Sequence, residues 1–125
     1  MELTHVVAAI IINDNKFFIA KRAKDKHLEG MYEFPGGKLL KNESHEDGLK
    51  REIKEELDIE IEIKDKIGEE NFKDDTINVK IHYYMCTHKS GKLTLNEHQD
   101  SAWVTKEEFK NYEFAEGDKD IISLL

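Results

Sequence analysis

The sequence predicts an α/β fold in which helices pack on a central mixed β-sheet. Three observations predict it. Thr4 to Ile12 (THVVAAIII) is a nearly continuous apolar, β-branched run, the pattern of a strand buried on both faces. Ile77 to Thr87 (INVKIHYYMCT) alternates, with apolar residues at 77, 79, 81 and 83. Between them Leu49, Ile53 and Leu57 recur at a spacing of four, which makes one buried stripe on a helix.

The remaining elements follow in order. Asn13-Asp14-Asn15 is turn chemistry, and Lys16 to Arg22 (KFFIAKR) returns as a second strand. Ala23 to Gly30 is a polar loop. Met31 to Phe34 leads into the only proline, Pro35, and then Gly36-Gly37, where backbone can come close to a bound anion or metal. Ser44 with Asp47 fits a capping box, so the helix starts after Ser44. Glu60 to Phe72 opens with an alternating EIEIK stretch, Lys73-Asp74-Asp75 turns, and Lys89 to Lys92 turns again. Ser101 to Val104 is a short strand. Thr105 with Glu108 is a second capping box, opening a short helix to about Lys110, and Asp118 to Leu125 reads as a C-terminal helix.

At 125 residues, with 37% charged and 38% hydrophobic residues, the chain is expected to fold as one domain spanning residues 1–125. A net charge of −8 argues against a nucleic-acid polymer or an anionic membrane as partner. The single Cys86 excludes an intramolecular disulfide and suits a reducing compartment. The start, MELTHVVAAIII, has no basic segment before its apolar run, so a cytoplasmic protein is expected. A monomer is expected, with a dimer as the alternative.

On a 100° wheel, Glu52, Glu55 and Glu56 fall together beside the apolar stripe. Three crowded carboxylates repel one another, and hard oxygen ligands suit Mg²⁺ or Mn²⁺. Taken alone, KREIKEEL is more often a solvated face, and Arg51–Glu55 an ordinary i,i+4 pair. The six histidines, at 5, 27, 45, 82, 88 and 98, show no zinc-ligand spacing, and the glycines do not have P-loop spacing.

The wider spacing decides between these readings. Gly37, five residues, Glu43, seven residues, Arg51-Glu52-Ile53, one residue, Glu55-Glu56, one residue, Asp58-Ile59 resembles the Nudix box. Six identities at about one in ten each, with two apolar matches, occur by chance on the order of once in 10⁵ such chains. Asp58 stands where the box has Gly at a left-handed helix end. Lys21-Arg22, YEFPGGK at 32–38, the apolar strand 77–85, Trp103 and FAEGD at 114–118 extend the resemblance, which is to the MutT-type branch.

The resemblance implies an α/β/α sandwich around a central mixed sheet, with a loop–helix carrying the chemistry. It implies a Mg²⁺-dependent hydrolase, Mn²⁺ substituting, acting on a small nucleotide. Glu52, Glu55, Glu56 and the Gly37 carbonyl would be metal ligands. Glu97, six residues before Trp103, would be a further ligand or base beside Glu52. Glu43 and Arg51 would form a structural pair. Arg22, Phe34, Lys38, Phe72 and Asp118 are the candidate nucleotide contacts. Lys38 has an exposed lysine as its rival reading, the two phenylalanines have core packing, and Asp118 has a helix cap. The implied substrates are an oxidised purine such as 8-oxo-dGTP, or alternatively CTP, dCTP or a modified cytosine nucleotide. A nucleotide sensor with little turnover is the reading of a different class.

Overall fold

The computed structural model describes residues 2–23 and 30–125, so residues 24–29 of the polar loop lie outside the described residues. The strands are β1 (Thr4–Asn13), β2 (Lys16–Lys21), β3 (Tyr32–Glu33), β4 (Gly36–Lys38), β5 (Glu60–Lys73), β6 (Asn78–Ser90) and β7 (Asp100–Val104). The helices are α1 (His45–Leu57) and α2 (Glu116–Ile122), with a 3₁₀ helix at Lys106–Asn111.

β1 is the spine of the sheet. It runs parallel to β6, with Thr4 opposite Val79 and Ile11 opposite Cys86. Along its other edge β4 pairs antiparallel at the start and β2 at the end. β5 hairpins onto β6, and β2 carries β3 and β7. The sheet is therefore mixed, as expected.

Strand alternation explains the unbroken apolar run. Val7, Ala9 and Ile11 of β1 point to one face, against Leu49, Ile53 and Leu57 of α1. Ala8 and Ile10 point to the other, against Tyr83, Phe109, Phe114 and Ile121. Helices cover both faces, and every one of these β1 residues is buried.

Most boundaries agree with the sequence reading to within a residue or so. Ser44 caps α1, its Oγ accepting from Asp47 N at 3.1 Å. Thr105 N donates to Glu108 Oε1 at 2.8 Å at the start of the 3₁₀ helix. Asp14 and Asn15 both have φ > 0, the backbone that a tight two-residue hairpin needs. β6 continues three residues beyond Thr87, because its partner β5 begins opposite Ser90. The short strands β3 and β4 carry no alternation long enough to announce them.

The C-terminal helix corrects the sequence reading. It starts at Glu116 and ends at Ile122, so Asp118 is inside it and does not cap it; the N-cap is Ala115. Leu124, beyond the end of the helix, is 61% exposed.

Asp58 adopts the left-handed conformation, with φ 57° and ψ 32°, and its N–H bonds Lys54 O at 3.0 Å. A Cβ in that region costs about 1 kcal/mol. Asp58→Gly is expected to raise stability by up to about 1 kcal/mol with kcat little changed, since the exposed Lys54–Asp58 pair contributes little. A lower melting temperature for the glycine variant would mean that the ion pair and chain entropy outweigh the backbone strain.

Candidate active site

The loop before α1 is fastened to it by one guanidinium. Arg51 Nε and Nη2 donate to the two oxygens of Glu43 at 2.8 and 2.9 Å, and Nη2 also reaches Lys38 O at 3.1 Å. Leu40 N donates to Glu43 Oε1 at 2.9 Å. The Arg51 bond first, and the Leu40 N–H second, hold the Glu43 carboxyl down to about 2. The pair thus fixes Gly36-Gly37 beside the helix. A Cβ on Gly37 would lie 2.4 Å from Glu52 Oε2, so only glycine leaves room for that carboxylate.

Glu52, Glu56, Glu97, Glu33 and His98 line a cleft of about 150 Å³, with Arg22, Ala23 and Gly36 completing its wall. The segment carrying Glu97 and His98 is strapped at both ends. Asn96 N donates to Glu56 O at 3.0 Å and Asn96 Nδ2 to Glu55 O at 3.0 Å, which ties it to α1. Gln99 N donates to Lys21 O at 3.1 Å and Gln99 Nε2 to Arg22 O at 2.7 Å, which ties it to the end of β2. His98 Nε2 then lies 2.8 Å from Glu33 Oε2 and 3.7 Å from Glu56 Oε1.

Glu56 is the most unusual carboxyl in the cleft. Burial, followed by the Glu33, Glu52 and Glu97 carboxylates, pushes it up to about 10. Among the described residues, Glu56 Oε2 and His98 Nδ1 are buried without a hydrogen-bond partner. Ligand atoms of Glu33, Glu56 and His98 lie within 4.8 Å of one another. An orphaned buried oxygen among crowded carboxylates is the chemistry of a divalent-cation site, so the residues present fit Mg²⁺ or Mn²⁺. Glu55 stands to one side. Its side chain is 54% exposed and meets Arg51 Nη1 at 3.4 Å, the same nitrogen that holds Glu52 Oε1 at 3.0 Å.

A second cavity of about 480 Å³ adjoins the cleft, and its lining includes Arg22, Phe34, Phe72 and Asp118. Lys38, the remaining candidate contact, is exposed and does not line it. Phe34 is also core, packed on Tyr83, Phe109 and Phe114. Asp118 is only 6% exposed. Its Oδ2 accepts from Phe34 N at 2.9 Å and its Oδ1 from the Tyr83 hydroxyl. Burial pushes the Asp118 carboxyl up to about 7, against the lowering pull of those two donors. Arg22 pairs with Glu33 Oε1 at 2.5 Å on the shared wall.

Glu33, His98 and Tyr83 were not among the sequence candidates. Glu33 lies in the YEFPGG stretch and His98 directly follows Glu97, so adjacency to named motifs was the available signal.

A family model described as NUDIX domain matches residues 6–124. The chain is 33% identical over 118 residues to the CTP pyrophosphohydrolase of Escherichia coli (strain K12), covering 94% of this chain and 87% of that protein. It is 31% identical over 126 residues to the 8-oxo-dGTP diphosphatase of Buchnera aphidicola subsp. Schizaphis graminum (strain Sg), covering 98% and 92%. The solution structure of the E. coli ORF135 protein superposes with a TM-score of 0.86 at 31% identity, covering 99% of this chain and 89% of that one.

Proposed function

Because the chain belongs to the Nudix family and is a Nudix hydrolase, we propose that it is a Mg²⁺-dependent nucleoside triphosphate pyrophosphohydrolase that acts on an oxidised purine nucleotide such as 8-oxo-dGTP. One observation carries this reading. Arg22, Glu33 and Gly36 line both the aromatic-walled cavity and the carboxylate cleft, so a base in the first continues into phosphates in the second. A cavity of about 480 Å³ is of the size that holds a small ligand.

Glu52, Glu56, Glu97 and the Gly37 carbonyl would hold the cation, with Glu55 joining through its position beside Glu52. The chemistry supplied there when the cation is bound is neutralisation of phosphate charge and a lowered pKa for water. Glu52 accepts the proton of the attacking water, whose oxygen bonds to phosphorus. The anhydride bond between the first and second phosphates breaks, giving the monophosphate and pyrophosphate. Glu97 is the alternative base, and Arg22 offers a cation to the phosphates or the base. Release of pyrophosphate from a panel of nucleotides, with and without Mg²⁺, tests the reading. Binding without release would leave a nucleotide sensor.

Asp118 supports the purine and also motivates the second reading. Protonated, it donates and accepts, which matches the keto and amide edge of an 8-oxopurine. Ionised, it only accepts, which suits the exocyclic amine of cytosine. With the carboxyl at about 7, the kcat/KM ratio of 8-oxo-dGTP to dCTP is expected to fall as pH rises through neutrality. Asp118→Asn, always both donor and acceptor, should flatten that profile and shift the ratio by about tenfold or more. An unchanged ratio and profile would remove Asp118 from base reading.

A further inference from the structure

One short segment, Asn96 to Gln99, reaches Arg22 twice. Gln99 holds its main chain, through N to Lys21 O at 3.1 Å and Nε2 to Arg22 O at 2.7 Å. His98 reaches its side chain through Glu33. His98 Nε2 lies 2.8 Å from Glu33 Oε2, and Glu33 Oε1 meets Arg22 Nη1 at 2.5 Å. The ring nitrogen that faces a carboxylate carries a proton, so Nε2 donates. β3 sets up the second contact: Glu33 is opposite Ala20, which makes Arg22, two residues beyond Ala20, its diagonal neighbour. All three side chains line the carboxylate cleft, and Arg22 and Glu33 also line the larger cavity.

We propose that His98 is a positioning residue: acting through Glu33, it holds the Arg22 guanidinium at the junction of the two cavities, where the phosphates of a bound nucleotide pass. The nucleotide rests on the reading above, the fixture on these contacts. A guanidinium on a long side chain has many rotamers, and fixing it before the ligand arrives removes an entropy cost from binding. A planar fork also meets phosphate well only when its plane is set. A carboxylate bound through one oxygen still turns about its side-chain bonds. Donors on both oxygens of Glu33, His98 at one and Arg22 at the other, stop that rotation.

Burial and partners suit this use. The His98 side chain is 4% exposed, against 17% for Glu33 and 26% for Arg22, so the contacts run from the interior outward to the cation. His98 Nδ1 is buried without a partner among the described residues, and Glu56 Oε1, 3.7 Å from Nε2, is beyond hydrogen-bond reach. Among the described residues, the ring's hydrogen bond is therefore to Glu33. The ring is not needed to hold the segment itself. Asn96 bonds Glu55 O and Glu56 O of α1, and Gln99 bonds the end of β2. Glu97 is thus placed by the bonds of Asn96 and Gln99.

Glutamine and asparagine at position 98 separate this role from a structural one. Counted from Cβ, the glutamine amide nitrogen takes the place of Nε2, and the asparagine amide nitrogen that of Nδ1, which bonds nothing among the described residues. His98→Gln should therefore behave as the parent. His98→Asn, equally polar, should show a disordered Arg22 Nε–H by ¹⁵N relaxation in nucleotide-free protein. It should also raise KM for 8-oxo-dGTP and dCTP about tenfold, with kcat changed by less than about twofold. In an Arg22→Ala background His98→Asn should cost nothing further, whereas with Glu97→Gln the two losses should multiply. Two results would overturn the proposal by assigning His98 to the fold or to Glu97: the Asn and Gln variants alike in both measurements, or a loss that survives Arg22→Ala and vanishes in Glu97→Gln. A parent that neither binds nor cleaves a nucleotide would sink the reading above instead, and the ¹⁵N measurement, made without nucleotide, would still decide this one.

Discussion

Glu52→Gln is expected to lower kcat by about 100-fold or more at saturating Mg²⁺, with the fold intact. Glutamine keeps the shape of the side chain and its place over Gly37 but loses the charge. It can neither accept a proton from water nor help to neutralise a cation. Arg51 loses one of its carboxylate partners but keeps the bidentate Glu43 bond, so the loop stays fastened to α1. The melting temperature should therefore change little while turnover collapses. Gly37→Ala is the companion: its Cβ would meet the end of a flexible side chain, so Glu52 swings aside and activity falls while stability holds. Near-parent turnover in Glu52→Gln, measured as pyrophosphate release, would remove Glu52 from the chemistry.

The neighbouring glycine should behave in the opposite way. A Cβ on Gly36 would lie 1.9 Å from the Val7 carbonyl oxygen and 2.7 Å from Ala8 Cα. Both are backbone atoms of β1, paired through Thr4 to Ile11 with β6, and cannot move without breaking that ladder. Gly36→Ala is expected to cost about 3 kcal/mol or more, since interiors do not yield to overpacking. For a chain this size that lowers the melting temperature by about 10 °C. A melting temperature within a few degrees of the parent would show that β4 can lift from β1, contrary to the paired geometry. Together the two alanine variants separate a glycine needed by the fold from one needed by the site.

What was legible in the sequence has a physical pattern. The double-faced burial of β1, the stripe of α1 and the left-handed turn at Asp58 are local, set by side-chain period or by one backbone angle. The Glu43–Arg51 pair was legible because the box spacing carries it. Glu33 and His98 were not, because their meeting with Glu56 depends on β3 and on the straps of Asn96 and Gln99. The interior place of Asp118 was hidden because α2 begins two residues earlier, behind an Ala115 cap that has no side-chain signal.

The parallel pairing of β1 with β6 has a consequence for how the chain is made. Thr4 finds Val79 only after about 75 further residues have been synthesised, roughly 4 to 15 s at about 5–20 residues per second. Through that interval THVVAAIII is a hydrophobic strand with its longest edge unpartnered, the kind of segment that seeks a neighbouring chain. The hairpin to β2 closes early but covers only Ile12 and Asn13. Bringing distant strands together also makes refolding slow for so small a protein, because loop-closure entropy is spent before the pairing is gained. Yield in the cell should thus depend more on how the nascent chain is sheltered than on the stability of the finished fold.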